Sequence, residues 1–279
     1  MNYTFLDSKA LLRKYDLRPR KSLGQNFLVD PSSLRKVMEA AQVGATDEVL
    51  EIGAGLGSLT VLLAQTAAAV KAVEVDGNLI APLHEALSPY PNVNVVEGDM
   101  LALNPDDLMP HAGYLVVANI PYYITSALIR HLLEASRKPA RITLTVQKEV
   151  AERITARDGK MSLLALSVQV YGEARLAAVI PAGCFYPAPD VDSAVITIAL
   201  HRQPLIPTEA LDDFFSLARA GFSQKRKTLR NALSGGLGVA ANQAADLLVK
   251  AEINPERRAE TLTIAEWQRL TEAWRQRKG

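Results

Sequence analysis

One cysteine, Cys184, is all that 279 residues offer for sulfur chemistry. An internal disulfide is excluded, and the chain suits a reducing, cytoplasmic compartment. Apolar runs are short, and none approaches the ~18 residues of a membrane span. Met1 to Ser22 lacks the apolar core of a signal peptide, so no membrane partner is expected. The four histidines (His84, His111, His131, His201) show no metal-ligand spacing, and no metal site is expected. Repeats and low-complexity tracts are missing too. So is any long exposed apolar stripe of the kind an obligate dimer needs, and a monomer is expected.

Net charge is nearly absent at +1, but it is unevenly spread. Residues 1–30 carry six Lys/Arg against three Asp/Glu, residues 31–200 twelve against eighteen, and residues 201–279 thirteen against nine. Basic ends around an acidic middle suit a chain whose ends meet a polyanion. Solvated basic helices are the plainer alternative, and charge alone favours it. A hydrophobic content of 48% with 22% charged residues is ordinary for a globular protein. The length allows one large domain and a smaller one.

Residues 32–200 alternate short apolar runs with amphipathic stretches, the pattern of an α/β domain with a mainly parallel sheet. Asp30-Pro31 predicts a helix start, running to about Gln42. Strands are expected at Val49–Gly53, Val70–Val75, Val93–Glu97, Tyr114–Asn119 and Ile142–Val146, with later ones at Leu163–Tyr171 and Ala194–Leu200. Helices are expected near Leu59–Gln65, Leu79–Leu87, Ser126–Glu134 and Lys148–Ala156. Pro204 and Pro207 mark a shift to helical patterns at Thr208–Gly221, Gln224–Leu233, Ala240–Ala251 and Thr263–Arg275, the last behind a Thr263…Glu266 capping box. The expected division is 1–30, 31–203 and 204–279.

Val49 to Gly57 ends in Gly53-Ala54-Gly55-Leu56-Gly57, a strand-to-helix turn where backbone can approach a ligand closely. Glycine at every second position departs from the dinucleotide fingerprint, which would need glycine at Ser58. Glu74 lies 21 residues beyond Gly53, where an acid can take both hydroxyls of a ribose. Asp76 shares its strand face, and spacing does not choose between the two. Asp99, after the third strand, is placed for an adenine amino group. Further on, Asn119-Ile120-Pro121-Tyr122 ends an apolar run. Asn119 supplies a side-chain carbonyl, Pro121 stiffens the turn so that nearby carbonyls point outward, and Tyr122 offers a stacking face. Together they can hold an exocyclic amine for methylation.

Loop, acid and Asn-Ile-Pro-Tyr in this order resemble the S-adenosylmethionine-dependent methyltransferases of adenine amino groups. Lys21-Ser22-Leu23-Gly24-Gln25-Asn26-Phe27-Leu28, Phe185-Tyr186-Pro187-Ala188-Pro189 and Val191-Asp192-Ser193-Ala194-Val195 are similar to motifs of the ribosomal RNA adenine dimethyltransferases. So are Phe222 to Asn231 and Arg258-Ala259-Glu260-Thr261-Leu262. Asp190 departs from the family, which more often has a basic residue there.

The resemblance implies a Rossmann-like, seven-stranded α/β methyltransferase sheet whose last strand is antiparallel, followed by a small all-helical C-terminal domain for RNA or ribosome recognition. It implies S-adenosyl-L-methionine as cofactor, held by Asn26, Leu28, Gly53, Gly55, Glu74, Asp99 and Asn119, and so selects Glu74 over Asp76. Asn119, Ile120, Pro121 and Tyr122 would be catalytic, with Phe185 opposite Tyr122 at the target base. Arg20, Lys21, Lys225, Arg226, Lys227 and Arg230 would contact RNA. The implied reaction is dimethylation of N6 on two adjacent adenosines near the 3′ end of 16S rRNA in the small ribosomal subunit, linked to subunit biogenesis. The rivals are a 23S rRNA methyltransferase of the macrolide-resistance type, a non-catalytic assembly factor and, disfavoured by glycine spacing, a dinucleotide-dependent oxidoreductase.

Overall fold

The computed structural model describes residues 3–120, 124–157 and 159–278. In chain order the elements are α1 (Ser8–Lys14), β1 (Phe27–Leu28), α2 (Pro31–Ala41), β2 (Glu48–Ile52), α3 (Ser58–Ala64), β3 (Ala69–Glu74), α4 (Gly77–Leu87), β4 (Val93–Glu97), α5 (Pro105–Leu108) and β5 (Leu115–Asn119). Next come α6 (Thr125–Glu134), β6 (Arg141–Gln147), α7 (Lys148–Ile154), α8 (Leu163–Gln169), β7 (Gly172–Ile180), β8 (Phe185–Tyr186) and β9 (Ser193–Leu200). The chain closes with α9 (Leu211–Phe222), α10 (Leu229–Leu237), α11 (Ala241–Lys250) and α12 (Ile264–Lys278).

Seven strands form one sheet in the order β4-β3-β2-β5-β6-β9-β7. β2 pairs in parallel with both β3 and β5, which carry the ladder on to β4 and β6, and β9 enters antiparallel to β6. The middle of the sheet is largely apolar, as expected where both faces are covered. Val49, Leu50, Val116, Val117 and Ala118 are fully buried. Helix α2 starts where Asp30 accepts the Ser33 N–H at 2.8 Å, with Pro31 in the first turn. It buries Leu34, Val37, Met38 and Ala41, a one-faced helical spacing, against the sheet core. A separate two-stranded ribbon pairs β1 with β8, Phe27 opposite Tyr186 and Leu28 opposite Phe185.

The stretch Leu163–Tyr171, expected as a strand, is instead helical over Leu163–Gln169. Ser162 caps it, accepting the Ala165 N–H at 3.0 Å, and Leu and Ala favour the helix once that cap is made. The seventh strand is β7, an edge strand that the sequence pattern does not announce. Leu176 and Val179 lie exposed on it, so its apolar and polar positions do not alternate.

Two compact units divide the described chain: residues up to Ala151 with Ala174–Leu200, and Glu152–Glu173 with the residues from His201 onward. In the helical unit Trp267 is fully buried and stacks on Phe222 at 5.8 Å between centroids. The expected capping box forms, with Glu266 Oε2 accepting the Thr263 N–H at 2.8 Å. Helix α10 begins later than expected and continues past Leu233 through Gly235-Gly236. A Cβ at Gly236 would lie 2.6 Å from Ala220, so glycine there allows α10 and α9 to cross closely. Among the described residues no helix is long and apolar enough to cross a membrane.

Candidate active site

Strand β2 has β3 on one side and β5 on the other, and connections leave it in both directions. Such a reversal opens a crevice at the carboxyl ends of the strands. The turn after β2 fills its floor. Gly53, Gly55 and Gly57 have φ of +77°, +59° and +91°, which side-chain-bearing residues rarely adopt. The turn is also crowded, since a Cβ at Gly55 would meet the Phe27 ring at 3.1 Å. Alternate glycines therefore answer to backbone hand and to packing at once.

A cavity of about 280 Å³ opens above this turn. Its wall brings together Asn26, Gly53, Gly55, Glu74, Asp99, Asn119 and Ile120, seven of the residues expected from sequence. No Lys, Arg or His stands among its described lining residues. Leu28 is not on this wall. It lines a smaller hollow of about 30 Å³ under the glycine turn, beside Glu51 and Asn119.

The two acids that spacing could not separate have different surroundings. Glu74 reaches the cavity, and its carboxylate accepts the Gly55 N–H at 2.7 Å and the Asp76 N–H at 2.9 Å. Burial raises its pKa against the opposing pull of those N–H donors. Asp76 is 3% exposed and off the cavity wall. It caps α4 and accepts from Gln25, Arg20 and Asn78. Burial alone would raise its pKa too, but these donors outweigh it and hold the carboxyl below its ordinary value. Asp99 is exposed at the cavity edge and accepts the Leu101 N–H at 2.9 Å.

Asn119 ends β5. Its Nδ2 donates to the Asn26 carbonyl at 3.1 Å, which leaves Oδ1 as the acceptor. Ile120 is buried beside it. Pro121 and Tyr122, expected to be catalytic, lie outside the described residues. Sequence reasoning missed the apolar lining, including Leu23, Met100, Leu101 and Val75. Val75 is 50% exposed between two acids at a strand end, a position where an apolar side chain is itself a signal. Glu51 is another residue to which motif and spacing give no role. It is buried, Oε2 has no hydrogen-bond partner among the described residues, and burial, opposed by the Thr60 hydroxyl and reinforced by the charge of Glu74, pushes its pKa up to about 8.

Phe185 does not join the cavity. Strand alternation on β8 turns it into the core with Leu28, Leu34 and Val195, while Tyr186 is 43% exposed. Of the residues expected at RNA, Arg20 pairs with Asp76 at 3.2 Å and Arg230 with Glu256 at 3.2 Å. Lys21 is exposed in a short 3-10 turn. Lys225, Arg226 and Lys227 are exposed on the turn before α10, not within a helix as expected, because Thr228 is extended and starts the helix behind them. Among the described residues no group of three or more His, Cys, Asp or Glu could hold a metal ion.

The seven-stranded sheet with its antiparallel β9, and a cavity at the strand switch whose charged lining is acidic, define the class of Rossmann-like methyltransferases. Two solved structures share the fold. A dimethyladenosine transferase from Plasmodium falciparum superposes with a TM-score of 0.78 at 26% identity, covering 90% of this chain and 98% of that one. The 23S rRNA methyltransferase ErmE does so with 0.72 at 29% identity, covering 89% and 99%. The family model for ribosomal RNA adenine dimethylase matches residues 17–274, and the chain belongs to that family. Among its relatives are proteins named ribosomal RNA small subunit methyltransferase A. The one from Dehalococcoides mccartyi is 46% identical over 94% of this chain and 91% of its own length. That from Moorella thermoacetica is 44% identical over 92% and 93%. Family and fold together imply a methyl donor of the S-adenosylmethionine type.

Proposed function

We propose that this enzyme transfers methyl groups from S-adenosyl-L-methionine to the N6 amines of two adjacent adenosines near the 3′ end of 16S rRNA, within the small ribosomal subunit. The observation that carries the reading is the pinned amide of Asn119, whose Oδ1 is left as an acceptor on the same cavity wall as Glu74. The cavity suits the donor. Its charged lining, Glu74 and Asp99, is acidic, which favours a cationic sulfonium and disfavours the pyrophosphate of a dinucleotide. Glu74 is the ribose acceptor at the strand end, Asp99 the acceptor for an adenine amine, and the glycine turn lets backbone approach the ligand. When bound, the cofactor supplies a methyl group already activated for transfer.

The protein then has to present the amine. Asn119 Oδ1 accepts one N–H of the target, and a main-chain carbonyl at Ile120 or Pro121 accepts the other. This draws the nitrogen toward tetrahedral geometry and frees its lone pair. As positive charge develops on nitrogen these contacts strengthen, each worth roughly 1.5–3 kcal/mol. Tyr122 stacks on the base and offsets the cost of taking it from its RNA surroundings. No dedicated base is required, because the methylated cation sheds its proton readily. Phe185 as a second face for the base requires it to leave the core. The basic segments 9–21 and 219–230 serve the RNA backbone. Solubility in the cytoplasm and action as a monomer complete the reading.

Small-subunit specificity is supported by relatives named for it at 40% identity or more, including one from Enterococcus faecalis. A 23S substrate is supported by the likeness to ErmE at 29%, which ranks it second. Labelled methyl transfer onto unmethylated small and large subunits, with nucleotide mapping, decides. Two dimethylated adenosines near the 16S 3′ end are expected, and label on 23S rRNA alone would reverse the ranking. A catalytically inactive variant that still supports subunit maturation would reveal an assembly role beside the enzymatic one.

A further inference from the structure

Residues 23–27 form one wall of the cavity, and the segment they belong to is tied down at both ends. At one end Asn119 Nδ2 donates to the Asn26 carbonyl at 3.1 Å. Next to it Gln25 Nε2 donates to Asp76 Oδ2 at 2.8 Å, and at the other end Arg20 Nη1 reaches Asp76 Oδ1 at 3.2 Å. Gln25 Oε1 accepts the Arg20 N–H at 2.7 Å, closing residues 20–25 into a loop around the Asp76 carboxylate. Asn78 also donates to Oδ1, from its backbone at 3.2 Å and its side chain at 3.1 Å.

Capping α4 needs only the Asn78 backbone contact. Besides the Asn78 side chain, two further donors, Gln25 and Arg20, come from a segment more than fifty positions away, and Asp76 itself does not line the cavity. A nearly buried carboxylate that collects donors from a distant segment fixes that segment in place. Loss of the carboxylate charge would release the loop and the wall it carries.

We propose that Asp76 is a positioning residue for cofactor binding: through Gln25 and Arg20 it latches residues 20–27 across the cavity as its closing wall. The Asn26 carbonyl at the far end of the segment is held by Asn119 Nδ2 independently of Asp76, so the latch sets the cofactor wall and leaves the amide in place. Arg20 acts chiefly on this latch and only secondarily at RNA. The proposal rests on the cavity being the methyl-donor site.

The test combines titration of S-adenosylmethionine, without RNA, with tryptic cleavage at Arg20 and Lys21 in the presence and absence of cofactor. Three variants serve: D76N, which retains a capping side chain, Q25A and R20A. In D76N and Q25A the cofactor Kd should rise on the order of tenfold, and R20A should show a smaller rise. Cofactor should protect the wild-type segment from trypsin and fail to protect D76N. In D76N, with saturating cofactor and RNA, kcat should stay within about twofold of wild type, so the defect resides in KM for the cofactor. Unchanged affinity and protection in D76N and Q25A would overturn the latch while leaving the cavity reading intact. Failure of the wild-type protein to bind S-adenosylmethionine would overturn the cavity reading itself. A parallel loss of kcat, affinity and thermal stability in both variants would mark a purely structural carboxylate and also overturn the proposal. An R20A effect confined to RNA affinity would remove Arg20 from it.

Discussion

The strand-end cavity and the basic turn before α10 handle charge in opposite ways. Glu74 on the cavity wall and Asp76 behind it are buried, and backbone or side-chain donors hold each one. At the turn Lys225, Arg226 and Lys227 stand in solvent. Buried, hydrogen-bonded groups act at one geometry and are insensitive to salt, whereas exposed cations act over a Debye length and are screened by it. Chemistry is therefore expected to depend on single atoms in the first region, and affinity on summed charge in the second.

The sharpest way to break that comparison is at Asn119. Asn119→Ala should lower single-turnover methyl transfer by on the order of 10²–10³-fold while RNA binding survives, because its acceptor oxygen works in the transition state. A near-normal single-turnover rate would contradict the role given to its pinned amide. Next comes Glu74→Ala. Loss of a charged acceptor for two hydroxyls is worth roughly 1.5–3 kcal/mol, or about tenfold to a hundredfold in cofactor affinity. Calorimetric titration reads this directly, and an unaltered Kd would remove Glu74 from the site.

Glu51 sharpens the comparison through pH. Its unfolded carboxyl titrates near 4.5, while burial keeps the folded one protonated to about 8. Between those values the native state binds more protons than the unfolded state, so stability contributed by this group falls as pH rises and levels off above 8. Glu51→Gln, which stays neutral throughout, should flatten that slope and raise stability at pH 8 by up to a few kcal/mol. Denaturant melts from pH 5 to 9 check it, and identical slopes in the two proteins would show that Glu51 ionises freely.

Per residue the smallest effect is expected at the basic turn. Neutralising Lys225, Arg226 and Lys227 together should weaken binding to the small subunit. The salt dependence should flatten by roughly 0.7–0.9 log units for each phosphate that is no longer neutralised. Cofactor affinity should stay as it was. If neither subunit affinity nor the slope changes, these residues are ordinary solvated surface and recognition rests elsewhere.

Much of the fold was legible because its signals are short in range. Asp30-Pro31 starts α2 and Thr263…Glu266 caps α12 through contacts spanning a few residues, and the side chains that make them are visible in any reading of the chain. The alternate glycines announced a close-packed turn for the same reason. At Leu163–Gln169 the apolar run masked a local signal, the Ser162 cap. Elsewhere legibility failed because nothing local decides: β7 has an exposed face that hides the strand period. Gly235-Gly236 reads as a helix end until Ala220 is found packed against it.

By itself the sequence determined the α/β class, the cofactor turn and the order of the motifs that place the chain in its family, since each is written in residue type and spacing. Only the tertiary structure gave Glu74 and Asp76 their different donors, sent Phe185 inward, placed Arg20 on Asp76 and turned the Asn119 amide by the carbonyl of Asn26. The hydrogen-bonded partners lie 19 positions away for Glu74, 56 for Arg20 and 93 for Asn119. The energy of a buried hydrogen bond depends on which groups are brought together away from water, and spacing along the chain does not contain that information.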